Sequence, residues 1–366
     1  MSKIEMNVSP DVKRAMTNFK TAMNKKYGEG SDIFANGQYQ DFESISSGSA
    51  ILDGLLGNGG WVKGRVHEIF GASGSGKSTI VALTCANARR QYPDKYILYV
   101  DAEQAQNFNY MRKLGLDCEN DEGVVFLQMQ EAENVFEVVE SAVATGAFSL
   151  VIIDSVPAMM TKRELNADYD KDTMAEKARF LSKALPKLLE NLKKADTTLI
   201  FVNQVRDKMD MWGGQTTPGG KAIPFYCSSR VKVNSTPSMR IKNDTGDGFI
   251  GQEVDFTIAK NKVGSPFGVG RSNLYFGVGF DKVEELIEVA VEKNIFDKAG
   301  AWFTLPYVNE DGEYCKFQGK NGLKAHYQAN SAELEKLETL VNDKNNNERE
   351  DGVQIVGAPG TDEDGY

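Results

Sequence analysis

The sequence has little of what zinc-binding, secreted and membrane proteins depend on. It contains only four cysteines and two histidines, and Cys85, Cys118, Cys227 and Cys315 do not show the paired spacing of a zinc site. No apolar run approaches the roughly 18 residues of a membrane span, and the first residues lack the apolar core of a secretion signal. We therefore expect a cytoplasmic protein with no zinc and no membrane partner.

Basic residues are also in deficit, with 42 lysines and arginines against 52 aspartates and glutamates and a formal net charge of −10. Taken over the whole chain, this balance argues against binding to nucleic acid. Residues 343–366, however, carry seven acids and two bases, which is half of the excess negative charge. We predict that this segment is a disordered acidic tail and that basic residues are free to cluster elsewhere.

Apolar residues follow two different periods along the chain. Over residues 10–27 they recur at three- and four-residue steps, which predicts an amphipathic helix that needs a surface on its own body or on another subunit. Farther on, short apolar runs alternate with helical segments, as in a parallel sheet covered on both faces. The predicted strands are 66–70, 96–100, 124–127, 150–153, 198–202 and 229–233, and a predicted helix over 175–194 contains Pro186, which should kink it or mark a helix start.

One short motif carries most of the chemistry. The segment from Gly71 to Ser78 reads Gly-Ala-Ser-Gly-Ser-Gly-Lys-Ser, and it lies between an apolar strand and a helical run. In that setting backbone N–H groups surround a phosphate, Lys77 reaches the β- and γ-phosphates, and the Ser78 hydroxyl can ligate Mg²⁺. The motif therefore predicts binding of a nucleoside triphosphate. The predicted contacts are Gly71, Ala72, Ser73, Gly74, Ser75, Gly76, Lys77, Ser78 and Thr79.

Three further polar side chains are predicted at the same edge of the sheet. Asp154 ends an apolar strand, where a carboxylate can hold the water shell of Mg²⁺ opposite Ser78. Glu103 follows another strand and can polarise the water that attacks a γ-phosphate, a base that an ATPase needs and a kinase does not. Gln204 ends a third strand, and we predict that its amide senses the γ-phosphate.

A long glycine-rich segment, residues 205–220, follows Gln204 directly. It is too long for a simple connection between two elements. It combines Arg206 and Lys208 with Met209 and Trp212, a composition typical of a segment that neutralises phosphates and stacks on bases. The alternative interpretation is a surface loop without such a role.

Together these motifs resemble those of the RecA strand-exchange recombinases, and the resemblance covers about residues 10–340. Their common order and spacing are hard to obtain by chance. The motifs are Ser47-Gly48-Ser49 with Leu52-Asp53, the phosphate loop, Asp101-Ala-Glu103, Tyr110-Met-Arg-Lys-Leu-Gly-Leu-Asp117, Asp154-Ser155-Val156, Asn203-Gln204-Val-Arg206, Gly219-Gly220, Lys260-Asn-Lys262 and Gly300-Ala-Trp302.

The resemblance implies a fold and a domain organisation. It implies an α/β RecA-like P-loop ATPase core with a mostly parallel sheet over residues 38–280. Residues 1–37 would provide an N-terminal oligomerisation helix and a linker, with the helix docked on the adjacent subunit. The residue pattern itself predicts helices over 281–293 and 331–342 with short strands around 301–303 and 314–317, which indicates a small α+β C-terminal domain over residues 281–342, followed by the acidic tail.

The resemblance also implies the roles of individual residues in the nucleotide site. Tyr110 resembles the tyrosine that stacks on adenine, and Lys260 and Lys262 resemble a pair that reaches the γ-phosphate across a subunit interface. The active site would then be completed by assembly. The remaining implied roles are phosphate and Mg²⁺ binding for Lys77 and Ser78, the hydrolytic base for Glu103, the Mg²⁺ carboxylate for Asp154 and the γ-phosphate sensor for Gln204.

Two loops of such recombinases bind single-stranded DNA, and they correspond to about residues 164–175 and 205–220. The resemblance implies an ATP- and Mg²⁺-dependent, DNA-stimulated ATPase that forms a helical filament of its own copies on single-stranded DNA, pairs it with double-stranded DNA and exchanges strands. The implied DNA contacts are Met174 and Met209, which would insert between base triplets, Arg179, Arg206, Gly219 and Gly220 at phosphates, and Lys208 and Trp212 in the second loop.

Two alternatives from other classes remain at this point. A hexameric replicative helicase uses the same core, but it usually completes its site with an arginine from a neighbour, where this chain offers Lys260 and Lys262. An ATP-binding scaffold that does not bind DNA would leave Met209 and Trp212 unexplained. One departure from the family concerns the base: Asn107 stands where bacterial members usually have an aspartate facing adenine.

Overall fold

The protein divides between Asp41 and Phe42 into two units. The structure is a computed structural model that describes residues 9–27, 42–119, 122–167, 174–207, 215–243, 245–308 and 312–350. In the first unit these residues form one helix, α1 (Pro10–Tyr27). Val12 and Met16 on the apolar face of α1 are 57% and 48% exposed. The amphipathic helix predicted over residues 10–27 is therefore present.

The second unit alternates strands and helices through most of its length. Its helices are α2 (Ala50–Leu56), α3 (Lys77–Gln91), α4 (Phe108–Lys113), α5 (Ala132–Ala144), α6 (Lys162–Leu165), α7 (Met174–Ala195), α8 (Ala222–Tyr226), α9 (Lys282–Glu292), α10 (Gly319–Ala329) and α11 (Ser331–Glu350). Its strands are β1 (Ser44–Ile45), β2 (Trp61–Val62), β3 (Val66–Gly71), β4 (Tyr96–Asp101), β5 (Val124–Gln128), β6 (Phe148–Asp154), β7 (Thr198–Gln204), β8 (Arg206–Asp207), β9 (Gln215–Thr216), β10 (Ser229–Asn234), β11 (Arg240–Lys242), β12 (Phe249–Asn261), β13 (Val269–Tyr275), β14 (Gly279–Phe280), β15 (Asp297–Ala299), β16 (Trp302–Val308) and β17 (Tyr314–Gln318).

One sheet of ten strands organises this unit, in the order β14-β13-β12-β10-β3-β7-β6-β4-β5, with β11 paired to β12. The six strands from β10 to β5 are all parallel. The strands β11 to β14 extend the sheet in antiparallel pairs beyond β10. The α/β fold with a mostly parallel sheet and all six predicted strands are therefore confirmed.

The parallel strands are apolar on both faces because helices cover both faces. Side chains alternate between the two faces of a strand, and in β6 this alternation assigns Ile152 to one apolar cluster and Val151 and Ile153 to another. Helix α3 contributes Ile80 to the first cluster, and α7 contributes Leu188 to the second. The carboxyl ends of β3, β4, β6 and β7 thereby meet at one edge between the two helical layers.

A third apolar cluster lies in the last part of the chain, where α9, α10 and α11 pack on the small antiparallel sheet β15-β16-β17. Leu286, Phe303, Tyr327 and Leu337 are among its buried side chains. The short strands and helices predicted beyond residue 280 are present. Helix α11 continues to Glu350, so the boundary predicted at residue 342 falls inside a helix, and residues 351–366 lie outside the described part of the chain.

Helix α7 continues without interruption through Pro186. Of the two interpretations of this proline, the one that made it a helix start is therefore wrong. Proline removes the N–H that would bond to the carbonyl of Ser182. Both Ser182 and Pro186 lie on the exposed face of α7, where water can satisfy that carbonyl. None of the helices in the described ranges is long and apolar enough to cross a membrane.

Candidate active site

The predicted phosphate loop connects β3 to α3, and two of its glycines pack closely against neighbouring strands. Strand β3 ends at Gly71, and α3 begins at Lys77. A Cβ atom on Gly71 would lie 1.9 Å from the carbonyl oxygen of Val233, and one on Gly76, where φ is +96°, would lie 2.6 Å from Leu274 Cδ2. Only glycine fits at both positions, and the loop is held against β10 and β13.

The Lys77 ammonium lies over this loop. Its Nζ donates to the carbonyl oxygens of Gly71 at 3.1 Å and Ala72 at 2.6 Å. Burial lowers the pKa of Lys77, while the carboxylates of Asp154 and Glu103 oppose that shift. The cation predicted to reach the β- and γ-phosphates therefore lies within the field of the two predicted carboxylates.

Asp154 occupies the carboxyl end of β6, as predicted, and its side chain is almost fully buried. Tyr99 Oη donates to Asp154 Oδ2 at 2.8 Å, and Gln106 Nε2 donates to the same oxygen at 2.9 Å. Burial raises the pKa of Asp154, and the hydrogen bond from Tyr99 and the neighbouring Ser78 hydroxyl act in the opposite direction. The Ser78 hydroxyl and the Asp154 carboxylate thus stand side by side.

Glu103 and Gln204 meet at the same edge. Gln204 Nε2 donates to Glu103 Oε1 at 3.2 Å, and the Ser155 hydroxyl donates to that oxygen as well. Glu103 itself is exposed, so water can reach its second oxygen. The structure therefore brings the predicted base and the predicted sensor into direct contact.

Two polar residues beside this edge shape the backbone. Asp101 is fully buried and accepts hydrogen bonds from the backbone N–H groups of Gln104 and Gln106, at 2.8 Å and 3.3 Å. Asn107 is the N-cap of α4, and its Oδ1 accepts from the Tyr110 N–H at 3.0 Å. Asp101 thus fixes the turn that presents Glu103, and Asn107 fixes the start of the helix that presents Tyr110.

A cavity of about 420 Å³ adjoins the phosphate loop. Tyr110 Oη lies 3.3 Å from Thr79 Oγ1, which places the predicted adenine-stacking ring at the start of α3. Across the cavity, Gln252 Nε2 donates to the Gly74 carbonyl at 3.1 Å, and the Arg240 guanidinium lies over the Phe249 ring. The lining residues are Gly74, Gly76, Lys77, Ser78, Thr79, Tyr110, Arg240, Phe249, Gln252, Leu274 and Phe276.

The structure does not bring Lys260 and Lys262 to the phosphate loop of their own chain. Strand β12 contacts that loop through Gln252, and Lys260 follows eight residues later, about 25 Å farther along the strand. Lys260 Nζ donates to the carbonyl oxygens of Pro224 and Phe225, and Lys262 Nζ donates to that of Phe225 at 3.2 Å. Burial and the neighbouring Lys262 lower the pKa of Lys260.

The first predicted DNA loop, residues 164–175, begins in α6 and ends in α7, and the second, residues 205–220, follows β7 and ends just before α8. Arg206 is exposed and pairs with Thr216 across the short ribbon of β8 and β9. A Cβ on Gly219, where φ is +94°, would lie 2.9 Å from Leu181 Cδ1, and one on Gly220 would lie 2.8 Å from Ala178 Cβ. The second loop therefore returns tightly against α7. Of the other predicted DNA contacts, Arg179 is exposed on α7 beside Glu176, Met174 begins α7, and Lys208, Met209 and Trp212 lie outside the described residues.

Sequence reasoning missed several side chains near this edge. Glu68, Asn203 and Arg230 form a buried network behind Gln204. Lys177 Nζ donates to the carbonyls of Val156 and Pro157, and burial lowers its pKa. One signal was available for Glu68, because a carboxylate inside the apolar strand run at 66–70 needs a partner wherever that strand is buried.

The oxygen donors of this edge suit Mg²⁺. Among the residues that the structure describes, no group of three or more His, Cys, Asp or Glu side chains could hold a metal ion alone. Mg²⁺ typically uses one or two protein oxygens together with water and substrate phosphates. Ser78 and Asp154 provide two adjacent oxygens beside the phosphate loop, so they fit this ion in that role.

Comparison with known proteins agrees with this geometry. The family described as RecA N-terminal domain matches residues 14–281. Protein RecA of Fusobacterium nucleatum subsp. nucleatum is 35% identical over 328 residues, which cover 89% of this chain and 83% of that protein. These findings favour the recombinase over the ring helicase and the scaffold. The chain belongs to the RecA family of nucleotide-binding, DNA-dependent ATPases and ATP-dependent recombinases that act in DNA recombination and repair.

Proposed function

We propose that this chain binds ATP and Mg²⁺ between neighbouring subunits of a filament on single-stranded DNA, pairs that strand with a homologous duplex and exchanges strands. The single observation that carries this proposal is the hydrogen bond from Gln204 to Glu103. It joins a carboxylate at the phosphate edge to the residue from which the second predicted DNA loop begins. A γ-phosphate that competes for the Gln204 amide would break this bond and shift the start of the loop.

The residues of this edge divide the work of hydrolysis. Lys77 and the loop amides hold the phosphates, and the exposed Glu103 carboxylate orients a water and accepts its proton. Mg²⁺, when bound at Ser78 and Asp154, neutralises phosphate charge. Tyr110 holds the base in the adjoining cavity. Asn107 affects the base only indirectly, because it fixes the start of α4, the helix that carries Tyr110.

Assembly completes the site in this proposal. Lys260 and Lys262 are too far along β12 to serve their own phosphate loop, and their ammonium groups lie together beside the exposed ring of Phe225. We assign them to the γ-phosphate of the neighbouring subunit. The half-exposed apolar face of α1, with Val12 and Met16, supplies a second contact between subunits.

DNA contacts come from the two loops in this proposal. The loops share α7 as their support, because the first ends where α7 begins and the second returns against Ala178 and Leu181. A change in the position of one loop would therefore alter the position of the other. We place the protein in the cytoplasm and assign DNA contacts to Met174, Arg179, Arg206, Lys208, Met209, Trp212, Gly219 and Gly220.

Negative-stain electron microscopy tests this proposal. We expect helical filaments when a slowly hydrolysed ATP analogue and single-stranded DNA are both present, and few filaments with ADP. The ATPase rate, measured with and without the same DNA, should rise on its addition. Closed rings in place of filaments, or an ATPase rate that ignores DNA, would contradict the proposed assembly.

A further inference from the structure

A carboxylate lies in the middle of the central sheet, where apolar residues are the rule. Glu68 is the third residue of β3, and its side chain is fully buried. Its neighbours across the sheet are Phe201 of β7 and Arg230 of β10. An ionised carboxylate in this position is stable only when it is paired and fully hydrogen-bonded.

Arg230 provides the pairing charge. Its Nε donates to Glu68 Oε2, and its guanidinium stacks over the Phe70 ring at 4.6 Å. A second nitrogen of the same guanidinium, Nη2, lies 3.4 Å from the Thr217 hydroxyl. Arg230 therefore connects the sheet to a residue of the segment that returns from the second predicted DNA loop.

Asn203 provides the second connection to the same segment. Its Nδ2 donates to Glu68 Oε1 at 2.8 Å and to the Pro218 carbonyl at 3.0 Å. Its Oδ1 accepts from the backbone N–H of Gln204 at 2.9 Å. The buried Glu68 carboxylate thus holds the side chain of Asn203, which precedes the predicted sensor. It is connected to Pro218 through Asn203 and to Thr217 through Arg230.

These contacts extend the network from one end of the loop to the other. Glu103, Gln204, Asn203, Glu68 and Arg230 are joined in that order by hydrogen bonds, with Thr217 at the end. An apolar pair in place of Glu68 and Arg230 would hold the sheet equally well. It could not reach the Thr217 hydroxyl or orient the Asn203 amide, so the polar pair has a use beyond packing.

We infer that Glu68 and Arg230 are positioning residues, which fix the returning end of the second DNA loop in register with Gln204. This inference rests on the proposed function, because it requires that residues 205–220 bind DNA in response to nucleotide. Glu68 and Arg230 contact neither phosphate nor DNA in this role. They ensure that a shift of Gln204 reaches both ends of the loop rather than only its start.

The test compares Glu68→Gln and Thr217→Val with the original chain. Glu68→Gln keeps the shape and removes the charge, whereas Thr217→Val removes only the hydroxyl at the end of the network. The control Asp255→Asn breaks an exposed ion pair with Arg271 between β12 and β13. The readout is the affinity for a fluorescent oligonucleotide with a non-hydrolysable ATP analogue, divided by the affinity with ADP. Binding of a fluorescent ADP derivative and the thermal midpoint report on folding.

We expect both variants to lower this ratio by about threefold to tenfold, which lies within the range usual for residues that couple two sites. ADP binding and the control should stay unchanged. An unchanged ratio in Thr217→Val, or an equal loss of DNA affinity with both nucleotides, would overturn the inference. If Glu68→Gln does not fold, the result for Thr217→Val alone decides whether the inference holds. A ratio near one in the original chain would instead refute the proposed function, and the inference with it.

Discussion

The carboxylate of Glu285 on α9 accepts a hydrogen bond from the backbone N–H of Ala50, the first residue of α2, at 2.7 Å. The hydroxyls of Ser49 and Ser272 also donate to it. This buried carboxylate therefore attaches α9, from the last part of the chain, to α2 and β13. Asp53, one turn along α2, lies close enough to repel it.

The stability of this junction should depend on pH. Burial raises the pKa of Glu285 from 4.5 to about 7, so the folded state binds a proton more tightly than the unfolded state. Glu285 alone should therefore lower the free energy of unfolding as pH rises from about 4.5 to about 7, by at most about 3 kcal/mol. Burial also raises the pKa of Asp53, to about 6, which adds to the fall with the same sign.

Denaturant titration followed by circular dichroism across that range checks this dependence. In Glu285→Gln the amide oxygen can still accept from Ala50, and its NH₂ group can donate to a serine hydroxyl. We expect a flatter profile and a gain in stability at the alkaline end. Glu288→Gln changes a carboxylate that is 43% exposed and should leave the profile unaltered. Parallel profiles for all three proteins would contradict the assignment.

Replacement of Lys77 by alanine should abolish both ATP hydrolysis and strand exchange. The ammonium group lies over the phosphate loop, and its removal should lower the ATPase rate by more than about 100-fold. A coupled ATPase assay and a strand-exchange assay on gels measure the two activities. Lys187→Ala removes an exposed lysine of α7 and should match the original chain. Full strand exchange by Lys77→Ala would exclude the ATP-gated mechanism.

Replacement of Glu103 by glutamine should separate hydrolysis from DNA binding. The amide cannot accept the proton of the attacking water, so the ATPase rate should fall about 100-fold or more. Its oxygen can still accept from Ser155, so the edge should keep its shape. We expect ATP-dependent DNA affinity to persist and filaments to last longer. Glu137→Gln, on the exposed face of α5, serves as the control. Normal turnover in Glu103→Gln would assign the base elsewhere.

Mixing two inactive variants should restore part of the activity. The Lys77→Ala variant keeps its lysine pair on β12, and the Lys260→Ala variant keeps its phosphate loop. An interface in which the phosphate loop comes from Lys260→Ala and the lysine pair from Lys77→Ala therefore contains both intact parts. Random assembly makes such interfaces about a quarter of the total. The ATPase rate of an equimolar mixture should rise well above that of either variant alone. No recovery in mixtures shown to form joint filaments would place Lys260 outside the neighbouring site.

Much of the fold follows from local patterns. The parallel strands could be predicted because each is a continuous apolar run between helices, and the phosphate loop because its glycines, lysine and serine have one spacing. Asp154 and Glu103 follow strand ends, which meet at one edge in any open parallel sheet. Their position beside the phosphate loop could therefore be predicted without knowing which residues distant in sequence pair with each other.

The rest depends on pairings that local patterns do not encode. Glu68 meets Arg230 at a separation of 162 residues, and Ser49 meets Glu285 at a separation of 236. Antiparallel β12 begins beside the phosphate loop and carries Lys260 away from it, which only the sheet order reveals. Asp101 occupies a strand end in the same way as Asp154, and only its hydrogen bonds show that it supports a turn.

Strand β12 is thirteen residues long, and its two ends contribute to different nucleotide sites in the proposed assembly. Gln252 braces one nucleotide pocket, while Lys260 would serve the next pocket along the polymer. Every subunit would then act as a rigid spacer that sets the distance between successive sites. Substitutions at buried Phe256, midway along that spacer, would disturb two pockets per polypeptide and the helical pitch together.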